Sequence, residues 1–97
     1  MSVVSLVNFE WDGAKSEKNL LERGFGFDFA ALIFEGPVLE RVDTRQDYGE
    51  ARVQAIGEVD GYILFVVYTD RGEARRIISA RMANSKERAA WLPFARL

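Results

Sequence analysis

Arginine and tyrosine are the residues of this chain whose types and spacing could do chemistry. Tyr62, Tyr68, Arg75 and Arg81 alternate onto one side of a stretch, Asp47 to Arg81, that reads as three strands joined by two tight turns. An arginine fork matches a phosphate bidentately, and a tyrosine ring stacks on a nucleobase while offering a hydroxyl. The plainer account is that the tyrosines favour strands and the arginines keep a half-exposed sheet in water. Other chemistries are closed off by composition. The 97 residues include no histidine and no cysteine. That removes a Ser-His-Asp arrangement, thiolate chemistry, disulfides and the commonest metal ligand. There is no glycine-rich phosphate loop and no metal-ligand spacing, so no cofactor is expected.

The elements that must position these residues follow from pattern. Tyr62–Thr69 is the most apolar and most β-prone segment. Asp60-Gly61 between Val59 and Tyr62 is a type I′ hairpin signal, since both central positions need positive φ. A two-residue turn there sets Val59 opposite Tyr62, Gly57 opposite Leu64, Ala55 opposite Val66 and Val53 opposite Tyr68. The second turn, within Asp70–Glu73, is expected to set Tyr68 opposite Arg75, Leu64 opposite Ser79 and Tyr62 opposite Arg81. Alternation then gives a core face of Ile56, Ile63, Phe65, Val67, Ile78 and Ala80, ready for helices. It gives a mixed face of Tyr62, Leu64, Val66, Tyr68, Arg75, Ile77, Ser79 and Arg81. Arg52 falls on the core side by this count.

Before the meander, Val3–Trp11 reads as a first strand. Asp12 stands as N-cap to a helix Gly13–Arg23, which Gly24 ends. Asp28 is a second N-cap candidate, heading a short buried helix over Phe29–Phe34; a strand is the alternative for so short an apolar run. Val38–Val42 reads as a strand and Asp43–Gly49 as a polar loop, the one expected to be most mobile. After the meander, Asn84 and Glu87 have capping-box spacing for a last helix from Ser85 to about Leu92, stopped near Pro93. Trp91 and Phe94 are expected on the sheet or on a partner. The whole is one domain, residues 1–97, of α+β class: an antiparallel sheet centred on residues 50–82, two N-terminal helices packed on it, and a C-terminal helix.

The chain carries a formal charge of −2, unevenly spread. Residues 1–50 hold ten acids against five bases, and residues 51–97 eight bases against five acids. Such asymmetry allows a basic face on an acidic protein. No window has the apolar length of a membrane span, no signal-peptide pattern opens the chain, and the lack of cysteine fits a reducing cytoplasm.

From Trp11-Asp12-x-x-Lys15-x-x-x-Asn19 onward the chain resembles the BrnT family, small toxins of bacterial type II toxin–antitoxin systems. The resemblance continues through Tyr48-Gly49-Glu50-Ala51-Arg52, Ile56-Gly57, Val67-Tyr68-Thr69, Ile77-Ile78-Ser79-Ala80-Arg81 and Asn84-x-x-Glu87, in order, over about Phe9 to Arg88. It implies a RelE-like fold and metal-independent ribonuclease activity that blocks translation. It implies a BrnA-like ribbon-helix-helix antitoxin as partner, with operator DNA reached only through that antitoxin. It also implies roles. Arg81 and Arg52 would stabilise phosphorane charge, and Tyr68 would orient the 2′-OH or stack on a base. Glu50 would be general base, and Arg23 would clamp phosphate. Where the family usually has Lys-His-Gly, this chain has Glu22-Arg23-Gly24. Arginine stays protonated at neutral pH and is a poor base. The alternative function is therefore a non-catalytic antitoxin-binding or co-repressor module that has lost cleavage.

Overall fold

The first hairpin closes as its turn residues require. In the computed structural model, which describes residues 8–45 and 47–96, Asp60 and Gly61 have φ of 50° and 82°. Around that turn the elements run β1 (Asn8–Trp11), α1 (Gly13–Arg23), α2 (Phe27–Ala31) continued by a 3₁₀ turn Leu32–Glu35, β2 (Leu39–Val42), β3 (Val53–Val59), β4 (Tyr62–Arg71), β5 (Ala74–Met82) and α3 (Ser85–Ala95). The fold is α+β, with one five-stranded sheet in the order β1-β5-β4-β3-β2. The meander and β2 are antiparallel, but β1 lies parallel to β5, so the sheet is mixed rather than antiparallel throughout. Residues 3–7 of the expected first strand lie outside the described residues.

The helix ends show local sequence at work. Asp12 accepts from the Lys15 amide at 3.1 Å, and Gly24 takes φ of 87° to close α1. Asn84 and Glu87 form a reciprocal capping box at the start of α3. That helix runs past Pro93, which stands in its last turn and costs one hydrogen bond there rather than ending it. The expected cap at Asp28 is corrected: α2 begins at Phe27 with Gly26 as cap, and Asp28 lies in the first turn, where its charge suits the helix dipole. The Phe27 amide donates instead to Ser16 Oγ at 2.9 Å, tying α2 to α1.

The β3–β4 register is the expected one, from Val59 opposite Tyr62 to Val53 opposite Tyr68. The β4–β5 register is not. Asp70 and Arg71 continue the strand, because Asp70 ion-pairs with its cross-strand partner Arg75 at 2.8 and 3.0 Å. The turn narrows to Gly72-Glu73, and Tyr68 lies opposite Ile77 rather than Arg75. A register shift at Val67/Tyr68 then adds one residue, Ile78, to β5, so that Val67 faces Ser79, Phe65 faces Arg81 and Leu64 faces Met82.

The N-terminal helices cover the face expected to be mixed, and of the expected core face only Ala80 changes sides, through the bulge. Phe25, Phe27, Ala30 and Ile33 of the α1–α2 segment pack on Ala55, Leu64, Val66, Tyr68, Ile77 and Ala80. The other side holds Ile56, Phe65 and Val67 under Trp91 of α3, with Leu39, Ile63, Ile78 and Phe94 around them. Apolar content could not choose between sides, since Leu64 through Thr69 are all buried. Gly57 chooses. A Cβ on it would stand 2.7 Å from Ile33 Cβ and 3.2 Å from Val38 Cγ1, so the 3₁₀ turn can press only on this side. Gly57→Ala is expected to destabilise by about 1–3 kcal/mol through overpacking. An unchanged urea midpoint would show that the close approach is not needed.

Candidate arginine face

The bulge in β5 decides which side chains meet. Before it, Arg75 and Ile77 point with Tyr68 toward α2; after it, Ser79 and Arg81 point with Val67 and Phe65 toward α3. Gln54 and Ile56 face that second side as well, and Arg52, one residue before β3, continues their alternation and shares Glu50 with Arg71 of the same side. Tyr68, Ser79 and Arg81 therefore do not share a face as expected, whereas Arg52 and Arg81 do. Their backbones lie about 10 Å apart across two strands and about 13 Å apart along them. Between the two arginines lies the row Gln54, Val67 and Ser79. That separation spans a nucleotide step or more of an extended strand rather than a single phosphate.

Arg52 sits at the end of the polar loop. Its guanidinium lies 4.0 Å from the Tyr48 ring centroid, a cation–π contact that fixes the plane of the fork. Glu50 pairs with it at 3.5 Å but without hydrogen-bond alignment, and Arg52 Nε is buried with no hydrogen-bond partner among the described residues. Buried donors of this kind are rare and call for an explanation. Arg71 binds the same carboxylate more closely, at 3.0 and 3.3 Å. Arg71, and secondarily Arg52, hold the Glu50 carboxyl below its ordinary range, so it is ionised but a weak base. The loop itself is tied down: Asp43 accepts from the Arg45 guanidinium at 2.6 and 2.9 Å, and the Tyr48 hydroxyl donates to it at 3.3 Å.

Arg81 is held differently. Its guanidinium stacks over Phe65 at 4.1 Å and forks onto Glu87 at 2.7 and 2.9 Å, joining β5 to the capping box of α3. That pairing, helped by the Asn84 amide, lowers the Glu87 carboxyl. Arg41, also on this side, donates through Nε to Gln54 Oε1 at 2.8 Å. Arg76 pairs with Glu10 across β1 and β5 at 3.0 Å. Arg41 and Gln54 were missed in the sequence. Their signal was the alternation of Val38–Val42, which puts Arg41 beside Gln54 only once β2 is known to pair with β3.

The remaining two candidates lie elsewhere. Tyr68 is 3% exposed, lies under Arg75 at 4.1 Å and donates its hydroxyl to Glu40 at 2.5 Å. Burial, then that hydrogen bond, pushes its hydroxyl well above the usual phenol range. Arg23 ends α1 and donates to the Ala80 carbonyl at 2.8 Å and to Asn19 at 3.3 Å, so it fastens helix to sheet.

The acidic groups fix a pH dependence. Asp43, Glu50 and Glu87 are all depressed from ordinary values of 3.8, 4.5 and 4.5. A depressed folded-state value stabilises above the unfolded value and is lost as pH falls below it. The midpoint of thermal unfolding should therefore hold from neutrality to about pH 5 and drop by about pH 3. Equal midpoints at both ends would show that these clasps contribute nothing.

Among the described residues no helix is long and apolar enough to cross a membrane. No curated protein matches the chain. The family described as "Ribonuclease toxin, BrnT, of type II toxin-antitoxin system" matches residues 11–87, a span that contains every candidate residue above. With most of its length so matched, the chain belongs to the BrnT family of type II toxin–antitoxin ribonuclease toxins.

Proposed function

We propose that this chain is a metal-independent endoribonuclease toxin that inhibits translation by cutting RNA laid across the Arg52–Arg81 face. The observation that carries the reading is the buried, unpartnered Nε of Arg52 beside an ionised carboxylate, on the side of the sheet that Arg81 also reaches. In the reaction the 2′-oxygen attacks the adjacent phosphorus, the bond to the 5′-oxygen breaks, and a 2′,3′-cyclic phosphate and a 5′-hydroxyl result. Arg52 donates to the phosphorane oxygens, where a preorganised donor is worth a few kcal/mol. Glu50 takes the 2′-proton, and solvent returns one to the leaving oxygen. Arg81 holds a phosphate further along the strand. Tyr68 and Arg23 act through the fold rather than on RNA.

What supports metal independence is the donor set: no histidine or cysteine in the chain, and among the described residues no cluster of three or more side chains suited to a metal. A RelE-like assignment fits helices packed on a largely antiparallel sheet. Type II membership implies an antitoxin; a BrnA-like ribbon-helix-helix protein, bringing operator DNA with it, fits that place, and the cytoplasm is where all of these would meet. Because Glu50 is a weak base, Glu50→Gln is expected to slow cleavage by only about tenfold, below the roughly 10²–10⁴-fold usual for a lost general base. A thousandfold loss would make it the principal catalyst.

One observation favours a second reading. Arg52 and Arg71 are paired by Glu50, Arg76 by Glu10 and Arg81 by Glu87, which leaves the face largely self-neutralised and suits a non-catalytic antitoxin-binding module. Overexpression without antitoxin separates the two. Growth arrest, with RNA cut by the purified chain in excess EDTA, supports the toxin. Harmless expression with tight antitoxin binding supports the alternative.

A further inference from the structure

We infer that the groove between α3 and the β2–β3 edge takes a guanine base of the RNA, which rests on the reading that RNA crosses this face. The groove has a volume of about 380 Å³, room for one nucleobase with its sugar. Leu39, Ile56 and Phe65 give it an apolar floor, and Arg41, Gln54 and Asn84 stand at its rim. Phe65 also carries the guanidinium of Arg81, so a base in the groove lies next to a phosphate held by that arginine.

The side-chain groups left free at the rim are donors. Gln54 is 95% buried, with 5% exposure. Its oxygen is taken by Arg41 Nε, while its amide nitrogen has no partner among the described residues. Asn84 has its oxygen taken by the Glu87 amide, which leaves its amide nitrogen free. Both oxygens of Glu87 are occupied by Arg81, and one also accepts from the Asn84 amide. Arg41 keeps its two terminal nitrogens free, since only Nε is bonded. The carboxylate of Glu40 is turned to the other side, onto Tyr68. A rim of donors selects a base edge made of acceptors. Guanine offers O6 and N7 side by side to an arginine fork, whereas adenine pairs N7 with an amino donor and would need the Gln54 oxygen already spent on Arg41.

The test uses binding rather than cleavage. Guanosine, adenosine, uridine and cytidine 5′-monophosphates are titrated into the full chain, and amide chemical shifts are followed. GMP is expected to bind at least about 10-fold tighter than AMP, with shifts at Gln54, Ile56, Phe65 and Ala90. Arg41→Gln should remove the preference while keeping the amide spectrum dispersed, and Arg23→Gln should leave it intact. Equal affinity for the four nucleotides, no binding, or shifts centred elsewhere would overturn the inference, even in a chain that cuts RNA. Guanine preference in a chain that leaves RNA intact would sustain the subsite and remove the nuclease instead.

Discussion

Arg52→Ala is expected to lower RNA cleavage by about 10²–10³-fold, the usual cost of removing one preorganised donor to a developing oxyanion, while leaving stability nearly unchanged. The two halves of this result come from the same atom. Arg52 Nε is buried without a hydrogen bond, so its removal deletes an unsatisfied donor along with a long ion pair to Glu50 and a stack on Tyr48. Those effects oppose each other within about 1 kcal/mol. Glu50 keeps Arg71 at 3.0 Å and is not left as an isolated charge. Arg52→Lys should recover little activity, because a point charge does not reproduce a fork held flat on an aromatic ring. The readouts are single-turnover cleavage and thermal unfolding on the same preparation. A variant that loses both together would assign Arg52 to the fold.

Trp91→Ala carries the largest expected effect on stability, about 3–5 kcal/mol for deleting a buried indole, against total stabilities of about 5–15 kcal/mol for domains of this kind. Trp91 is 2% exposed, packs with Phe94 and covers Ile56, Phe65 and Val67. Its Nε1 donates to Glu58 at 3.3 Å. With it goes the docking of α3, and with α3 the wall of the groove and the Glu87 clasp on Arg81. Urea unfolding should show a lower midpoint, and whatever folded fraction remains should cleave poorly. Trp91→Phe, which keeps most of the apolar volume, should restore much of the loss. A near-normal midpoint for Trp91→Ala would mean that α3 is held by its cap alone.

Local chemistry was readable in the sequence wherever a few neighbouring residues decide the outcome. Asp12, Gly24, Asp60-Gly61 and the Asn84–Glu87 box each satisfied backbone groups in the way their types require, and the β3–β4 register followed from its two-residue turn. The β4–β5 register did not, because it depends on two events without a local signature. Asp70 and Arg71 look like turn residues but are kept in the ladder by the Asp70–Arg75 pair. Ile78 is an extra residue that any strand pattern would absorb silently. The turn shift moves the pairing by two residues and keeps the faces, so the bulge alone takes Ser79 and Arg81 off the Tyr68 side. Arg52 lies on the side expected to be core, which the β4–β5 register does not affect. That side has two parts: α3 covers the end bearing Phe65, and the loop end bearing Arg52 carries charge. The second helix started two residues early because Gly26, without a side chain to advertise a cap, outcompeted Asp28.

The most direct test compares wild type, Arg52→Ala and Tyr68→Phe on one single-stranded RNA in excess EDTA. If the reactive face is the one shared by Arg52 and Arg81, wild type cuts, Tyr68→Phe cuts at nearly the same rate, and Arg52→Ala falls by about 10²–10³-fold. If Tyr68→Phe abolishes cleavage while Arg52→Ala preserves it, the chemistry lies on the opposite side of the sheet and Arg52 is no part of it.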